Sequence, residues 1–270
     1  MCGITAFKGN KALMHVVSAT LAQLDRGISG SGYAWINKNH IWYIKSPIHP
    51  LKLAVLNNYF VSNNAQTAIG HNRMPSQGKI SYYNCHPFID CYGRFALVHN
   101  GTFTFSQEVQ KRLSRDHRIK GETDSEILTH LICEQLNKRR TMYEILSDYA
   151  KDWNMCATII ILTRNNELYA LKDWQPLHLF EISTSKYGKF YALASEESAI
   201  ETALFKEYLK ANKKFEMKHT ALTRGDLIHI NANNELTLTP HTTKYTWKIN
   251  ENLKSKIIYR FGNFPYGEYW

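Results

Sequence analysis

Residues 1–24 read MCGITAFKGNKALMHVVSATLAQL, and this opening decides the fold. Cys2 to Phe7 is a short run with the composition of a buried strand. From Lys11 to Leu24, apolar residues then recur at Leu13, Val16, Val17, Leu21 and Leu24, which is the period of a helix packed on one face. A strand followed at once by a helix starts a layered structure.

The rest of the chain extends that pattern. Tyr33 to Ile36 and Ile41 to Ile44 flank the turn signal Asn37-Lys38-Asn39 and predict a hairpin. Ala65 to His71 and Phe95 to Val98 read as strands running into the polar clusters His71-Asn72-Arg73 and His99-Asn100-Gly101, where a sheet edge would present functional groups. Helical patterns follow at Ser106 to Leu113, Asp124 to Leu136, Thr141 to Ala150 and Ser198 to Leu209. Between the last two lie strand patterns at Met155 to Leu162, Glu167 to Leu171, His178 to Ile182 and Phe190 to Ala194. A final hairpin is expected from Leu227 to Thr239. This order predicts an α+β fold of two mainly antiparallel sheets packed face to face with helices outside, a four-layer αββα sandwich. With no repeats or long linker, residues 2–242 form one expected domain and residues 243–270 an aromatic, basic extension.

Composition narrows the function classes. Apolar residues are 44% and charged residues 21% of 270, proportions of a globular protein rather than a disordered one. No stretch approaches the roughly 18 to 20 apolar residues a membrane span needs. The N-terminus has neither the pattern of a signal peptide nor that of a transit peptide, so a cytoplasmic location is expected. Five scattered cysteines do not make a disulfide framework. Cys85, His86 and Cys91 lie close in sequence, but no second Cys/His pair completes zinc spacing, and no metal or cofactor is expected. The formal charge of +10 favours anionic partners without identifying one. The basic clusters Lys111 to Lys120, Lys138 to Arg140 and Lys206 to Lys218 fall mostly on helical patterns, where solvated faces are expected.

Cys2 becomes a chemically distinctive residue if Met1 is removed, as is usual before a small residue. Its thiol (ordinary pKa about 8.5) and the freed α-amine (about 7.7 to 8.0) then share one residue, so the amine can take the thiol proton directly or through water.

Met1-Cys2-Gly3-Ile4 resembles the start of the class II glutamine amidotransferases, a family of N-terminal nucleophile hydrolases. Arg26-Gly27 resembles the family's Arg-Gly, Gly70-His71-Asn72-Arg73 its Gly-His-Thr-Arg, His99-Asn100-Gly101 its Asn-Gly turn, and Thr123-Asp124 its acidic position. Ala194-Ser195-Glu196 and Arg224-Gly225-Asp226 are weaker echoes, so the likeness spans residues 2 to about 230. It implies Cys2 as nucleophile, with the Asn100 side-chain amide and the Gly101 backbone N–H facing the oxyanion. Arg73 would grip the glutamine α-carboxylate with parallel bonds, and Asp124 would meet its ammonium. Arg26 either belongs to the substrate pocket, orders the N-terminal strand or caps the preceding helix with its charge. Ser76 and Gly78 belong to the implied pocket wall.

Taken singly, each position has an ordinary reading: Arg73 a surface ion-pair residue, Asn100-Gly101 a type I′ turn, Asp124 a helix N-cap. The chain also departs from the family, with Met74-Pro75-Ser76-Gln77-Gly78 where an aromatic residue and Ala-Thr-His-Gly are usual, and Arg26-Gly27-Ile28-Ser29 in place of Arg-Gly-Pro-Asp. The implied reaction is hydrolysis of the glutamine amide through a γ-glutamyl thioester, with ammonia passed to a separate synthetase, a nucleotide or nucleic acid being one candidate acceptor. Two alternatives are cleavage of a different γ-glutamyl amide and a non-catalytic, nucleic-acid-binding derivative of the fold.

Overall fold

The structure is a computed structural model in which residues 1–56, 65–103, 106–152, 156–184, 188–210 and 215–240 are described; the expected extension from residue 243 lies outside them. In chain order the elements are β1 (Gly3–Lys8), α1 (Ala12–Leu21), β2 (Ser31–Asn37), β3 (His40–Ser46), α2 (Pro50–Leu56), β4 (Thr67–Asn72), β5 (Phe88–Ile89), β6 (Phe95–Thr102), α3 (Ser106–Arg112) and α4 (Asp124–Asn137). They continue with α5 (Met142–Asp152), β7 (Cys156–Thr163), β8 (Leu168–Leu171), β9 (His178–Thr184), β10 (Gly188–Ala194), α6 (Glu197–Lys210), β11 (Phe215–Ala221), β12 (Leu227–Ile230) and β13 (Leu236–Thr239). No described helix is long and apolar enough to cross a membrane.

The strands form two sheets, ordered β11-β9-β10-β1-β4-β2-β3 and β13-β12-β8-β7-β6-β5, and every pairing is antiparallel. β1 lies at the centre of the first sheet, and all six of its residues are buried. Its alternation splits the core. Ile4 and Ala6 join Ile69, Val98, Ile160 and Leu193 between the sheets, while Phe7 joins Leu13, Val16 and Ile200 beneath α1 and α6. On the far side, Ile127, Leu128 and Ile132 of α4 and Ile145 of α5 cover Phe95, Leu97, Ile159 and Ile161 of the second sheet. The four-layer αββα arrangement expected from the sequence is present.

α1 lies close against β4 because Gly70 has no side chain. A Cβ there would come within 2.6 Å of Val16 Cγ1 and 2.8 Å of both Thr5 Oγ1 and Thr20 Oγ1. The first hairpin turns through Lys38 and Asn39, both at positive φ, as a two-residue turn requires.

Three expectations need correction. Asn100 and Gly101 lie within β6, paired with Thr158 and Ala157, rather than in a turn. Gly101 has φ 132°, which lets the strand bend without Cβ strain. The polar clusters at His71 and His99 are buried inside their strands rather than presented at an edge. The helical reading of the basic run to Lys218 fails because Glu216, Lys218 and Thr220 alternate with Met217 and His219, and this stretch pairs with β9 as β11. Arg115, Arg118 and Lys120 likewise lie in the loop between α3 and α4 rather than on a helix. α2 and the two-residue β5 carried no pattern strong enough to be read.

Where β4 faces β6, three buried histidines meet. His71 of β4 stacks on His86 with ring centroids 3.9 Å apart, and His86 approaches His99 of β6 at 6.4 Å. His71 donates through Nε2–H to the His99 carbonyl at 3.2 Å, and His99 Nδ1 is 2.9 Å from Ser125 Oγ. Burial lowers all three pKa values, that of His71 to about 3, so the cluster is neutral at physiological pH.

Between pH 6.5 and 3 the unfolded chain takes up a proton at position 71 that the native structure refuses, so stability falls as the pH falls through that window. His71 alone is expected to remove about 2 kcal/mol between pH 6.5 and 5, at about 1.4 kcal/mol per pH unit. Urea unfolding at the two pH values, compared with His71→Gln, measures it; equal pH dependence in both proteins would contradict this account. Separately, Gly70→Ala is expected to cost about 1–3 kcal/mol by overpacking α1 against β4, also measured by urea unfolding.

Candidate active site

Cys2 is held at the head of β1 by its backbone. Arg26, in the 3-10 turn Leu24–Arg26, donates through Nε to the Cys2 carbonyl at 3.0 Å. The same guanidinium forms an ion pair with Glu196, and Arg26 is 6% exposed. Glu196 is fixed in turn, because its backbone N–H donates to Gln23 Oε1 at 3.0 Å. Next to it, Ser195 Oγ accepts the Ile4 N–H at 3.1 Å, and the Ser195 N–H donates to the Ile4 carbonyl at 3.0 Å. The Ala194-Ser195-Glu196 echo is thus the segment that braces the first strand and its arginine. Of the readings open for Arg26, the observed contacts are with the backbone at Cys2 and with Glu196.

The half-buried Cys2 thiol lies 3.4 Å from both the Met74 N–H and the Met74 carbonyl. Burial pushes its pKa up, while the Met74 backbone contact, the terminal amine, Arg73 and Arg26 pull it down. Met1, which precedes Cys2, is 66% exposed. Gly27 allows Met74 to approach. A Cβ on Gly27 would sit 2.5 Å from the Arg73 carbonyl carbon and 2.7 Å from the Met74 nitrogen. The Arg-Gly pair therefore has two tasks: arginine for the Cys2 carbonyl, glycine for the Arg73-Met74 peptide.

Arg73 follows β4 and is 3% exposed. Its guanidinium donates to the carbonyls of Gln77 at 2.7 Å, Lys79 at 3.1 Å and Gly78 at 3.3 Å. It is not a surface ion-pair residue. Three bonds leave roughly two of its five N–H donors for a ligand. The loop that supplies these carbonyls carries exposed Ser76 and Gly78, the latter at φ 70°. Two residues that the sequence did not single out anchor it: Glu122 accepts the Lys79 N–H at 2.9 Å, and Asn84 Nδ2 bridges Glu122 and the Lys79 carbonyl at 3.0 Å each. The signal available was only that Glu122 adjoins Thr123-Asp124.

Asn100, Gly101 and Asp124 form the second group. Asp124 begins α4 after the N-cap residue Thr123, and its Oδ2 accepts the Phe103 N–H at 2.6 Å, tying the helix to the end of β6. Ser125 holds His99 in the same place. Asn100 is 2% exposed, and its Nδ2 is buried without a hydrogen-bond partner. A buried amide N–H left unpaired costs about 1–3 kcal/mol.

The two groups meet where the sheets touch. Gly3 pairs with Asn72 in β4, His71 bonds the His99 carbonyl in β6, and Asn100 is the next residue. The thiol precedes β1, the anchored guanidinium follows β4, the unpaired amide donor lies in β6 of the opposite sheet, and the carboxylate heads α4.

A family model of class-II glutamine amidotransferases matches residues 1–189. Curated relatives include glutamine–fructose-6-phosphate aminotransferases from Listeria innocua, 30% identical over 74% of this chain and 32% of that protein, and Sulfurisphaera tokodaii, 28% identical over 66% and 31%. A probable enzyme of the same name from Acanthamoeba polyphaga mimivirus is 28% identical over 66% of this chain and 30% of its own. The match thus spans about a third of the length of these relatives. Among solved structures, glutamine phosphoribosylpyrophosphate amidotransferase from B. subtilis superimposes over 90% of this chain and 50% of its own with a TM-score of 0.68 at 19% identity. A glutamine aminotransferase class-II domain protein from Silicibacter pomeroyi is covered completely, with 90% of this chain, at a TM-score of 0.56 and 15% identity. The likeness to these two structures is one of fold, and the family match over residues 1–189 establishes that this chain belongs to the class-II glutamine amidotransferases.

Proposed function

We propose that the protein hydrolyses the side-chain amide of glutamine through a thioester on Cys2 and releases ammonia to a separate acceptor enzyme. The observation that carries this reading is the buried, unpartnered Asn100 amide in β6, next to His99, whose carbonyl accepts from His71 in the strand paired with β1. An amide N–H there, with the Gly101 backbone N–H beside it, suits the negative charge that develops on a carbonyl oxygen under attack.

In this account Met1 is removed and the Cys2 amine takes the thiol proton. The sulfur adds to the amide carbon, and the oxygen gains charge toward Asn100 and Gly101. The C–N bond then breaks as the nitrogen receives the proton and leaves as ammonia, and water cleaves the thioester to glutamate and free thiol. Arg73 receives the α-carboxylate with the N–H donors that the carbonyls at 77–79 leave unused, and Asp124 receives the ammonium. Ser76 and Gly78 line the pocket from that loop. Arg26 acts through Cys2 as a positioning residue.

The acceptor is proposed from the relatives, whose names couple glutamine to fructose 6-phosphate or phosphoribosylpyrophosphate. In this reading a separate synthetase consumes the ammonia. The net charge of +10 is compatible with a nucleotide or nucleic-acid acceptor.

Glutamate release from glutamine tests the reading. Asn100→Ala is expected to lower kcat about 10²–10³-fold with little change in KM, since its bond strengthens only in the transition state. Arg73→Lys is expected to raise KM by about tenfold or more through loss of the paired bonds. A folded protein that releases no glutamate, or an Asn100→Ala variant with unchanged kcat, would overturn it.

A further inference from the structure

Away from these strand ends, three metal-ligating side chains converge from separate segments. Cys91 follows β5, His117 lies in the loop between α3 and α4, and His130 is on α4. Cys91 Sγ is 3.2 Å from His117 Nδ1 and 3.5 Å from His130 Nδ1, and one ligand atom from each residue lies within 4.8 Å of the other two. The histidine rings are tilted by 42° with centroids 4.6 Å apart.

We propose that Cys91, His117 and His130 bind a zinc ion, with solvent as the fourth ligand. Around a tetrahedral ion with metal–sulfur and metal–nitrogen bonds of about 2.3 and 2.0 Å, sulfur and nitrogen ligands stand about 3.5 Å apart. The observed separations already approach that spacing. His117 has the orientation of a ligand: its Nε2 is 3.4 Å from Glu134 Oε1, which places the proton on Nε2 and leaves Nδ1 bare toward Cys91. Glu134 is itself fixed by accepting the Ser114 N–H at 2.5 Å. His130 is 6% exposed, and its Nε2 is buried without a partner, so packing rather than a second hydrogen bond orients it. The neighbouring thiol of Cys133 is engaged by Arg94 at 3.2 Å and is not part of the set.

Cys91 is exposed at a surface pocket of about 450 Å³ lined by Tyr92, Arg112, His117 and Glu134, which gives water access to the fourth position. A soft thiolate with two imidazoles favours zinc over magnesium or calcium. Reading Cys85 and His86 as neighbours of Cys91 finds no such set, because His117 and His130 are 26 and 39 residues further on. The ion would pin the loop before Asp124 to α4, whatever reaction the protein performs.

The test strips the full chain with chelator and titrates Zn²⁺, then Co²⁺, with circular dichroism monitoring the fold. About one equivalent of Zn²⁺ is expected, and Co²⁺ is expected to give thiolate-to-metal charge transfer with the visible bands of four-coordination. Cys91→Ser and, separately, His117→Asn are expected to weaken binding tenfold or more while remaining folded, with Cys2→Ser unchanged. Absence of binding to folded protein, undiminished binding in Cys91→Ser, or loss in Cys2→Ser instead would overturn the proposal.

Discussion

Arg26 donates to the carbonyl of Cys2, and that bond holds the residue that leads into the central strand. β1 is otherwise held by ladders to β4 and β10, which begin at Gly3 and Thr5 and so leave Cys2 outside any pairing. A residue beyond the ladder would fray. The buried guanidinium, paired with Glu196, supplies the missing restraint from the side of α1, while Ser195 holds Ile4 from the side of β10. The thiol is therefore directed at the Met74 peptide by contacts that involve no other part of its own side chain.

The same crowding explains why glycine and buried polar residues gather here. Gly27 removes a side chain that would strike the Arg73-Met74 peptide, and Gly70 removes one that would push α1 off the sheet. Asn72 completes the junction by donating to the carbonyls of Thr20 and Gln23 at 2.7 and 3.1 Å, which joins the end of β4 to the end of α1. From β4 through β6 to α4, His71 bonds the His99 carbonyl and the His99 ring bonds Ser125 beside Asp124. Cys2 directly precedes β1 and Asn100 lies within β6, whereas Arg73 is engaged by loop carbonyls.

Most of this fold was legible because its strands and helices have clean periods. Ile4 and Ala6 alternate with Thr5 and Phe7, and Leu13, Val16 and Leu21 follow a helical face, so local pattern and final layer agree. Where charge obscured the alternation, as at Lys218 in β11, the period was misread. Asn100-Gly101 has the composition of a turn but occupies a strand, because pairing with β7 outweighs local propensity and Gly101 absorbs the bend. The candidate site was recoverable as a set of ordered motifs. Its closing contacts were not: that the Arg73 guanidinium faces the carbonyls at 77–79, or that Glu122 and Asn84 hold that loop, depends on segments far apart in sequence. The meeting of Cys91 with His117 and His130 was hidden for the same reason.

The central claim is that a sulfur and a free amine on residue 2 act together on a glutamine-shaped substrate. Treatment with a glutamine-mimicking diazoketone, followed by peptide mass spectrometry, tests it most directly. The account predicts a single adduct on a Cys2 that has lost Met1, formed more slowly when glutamine is added. Labelling of another cysteine, or an active preparation in which Met1 is still attached to Cys2, would contradict it.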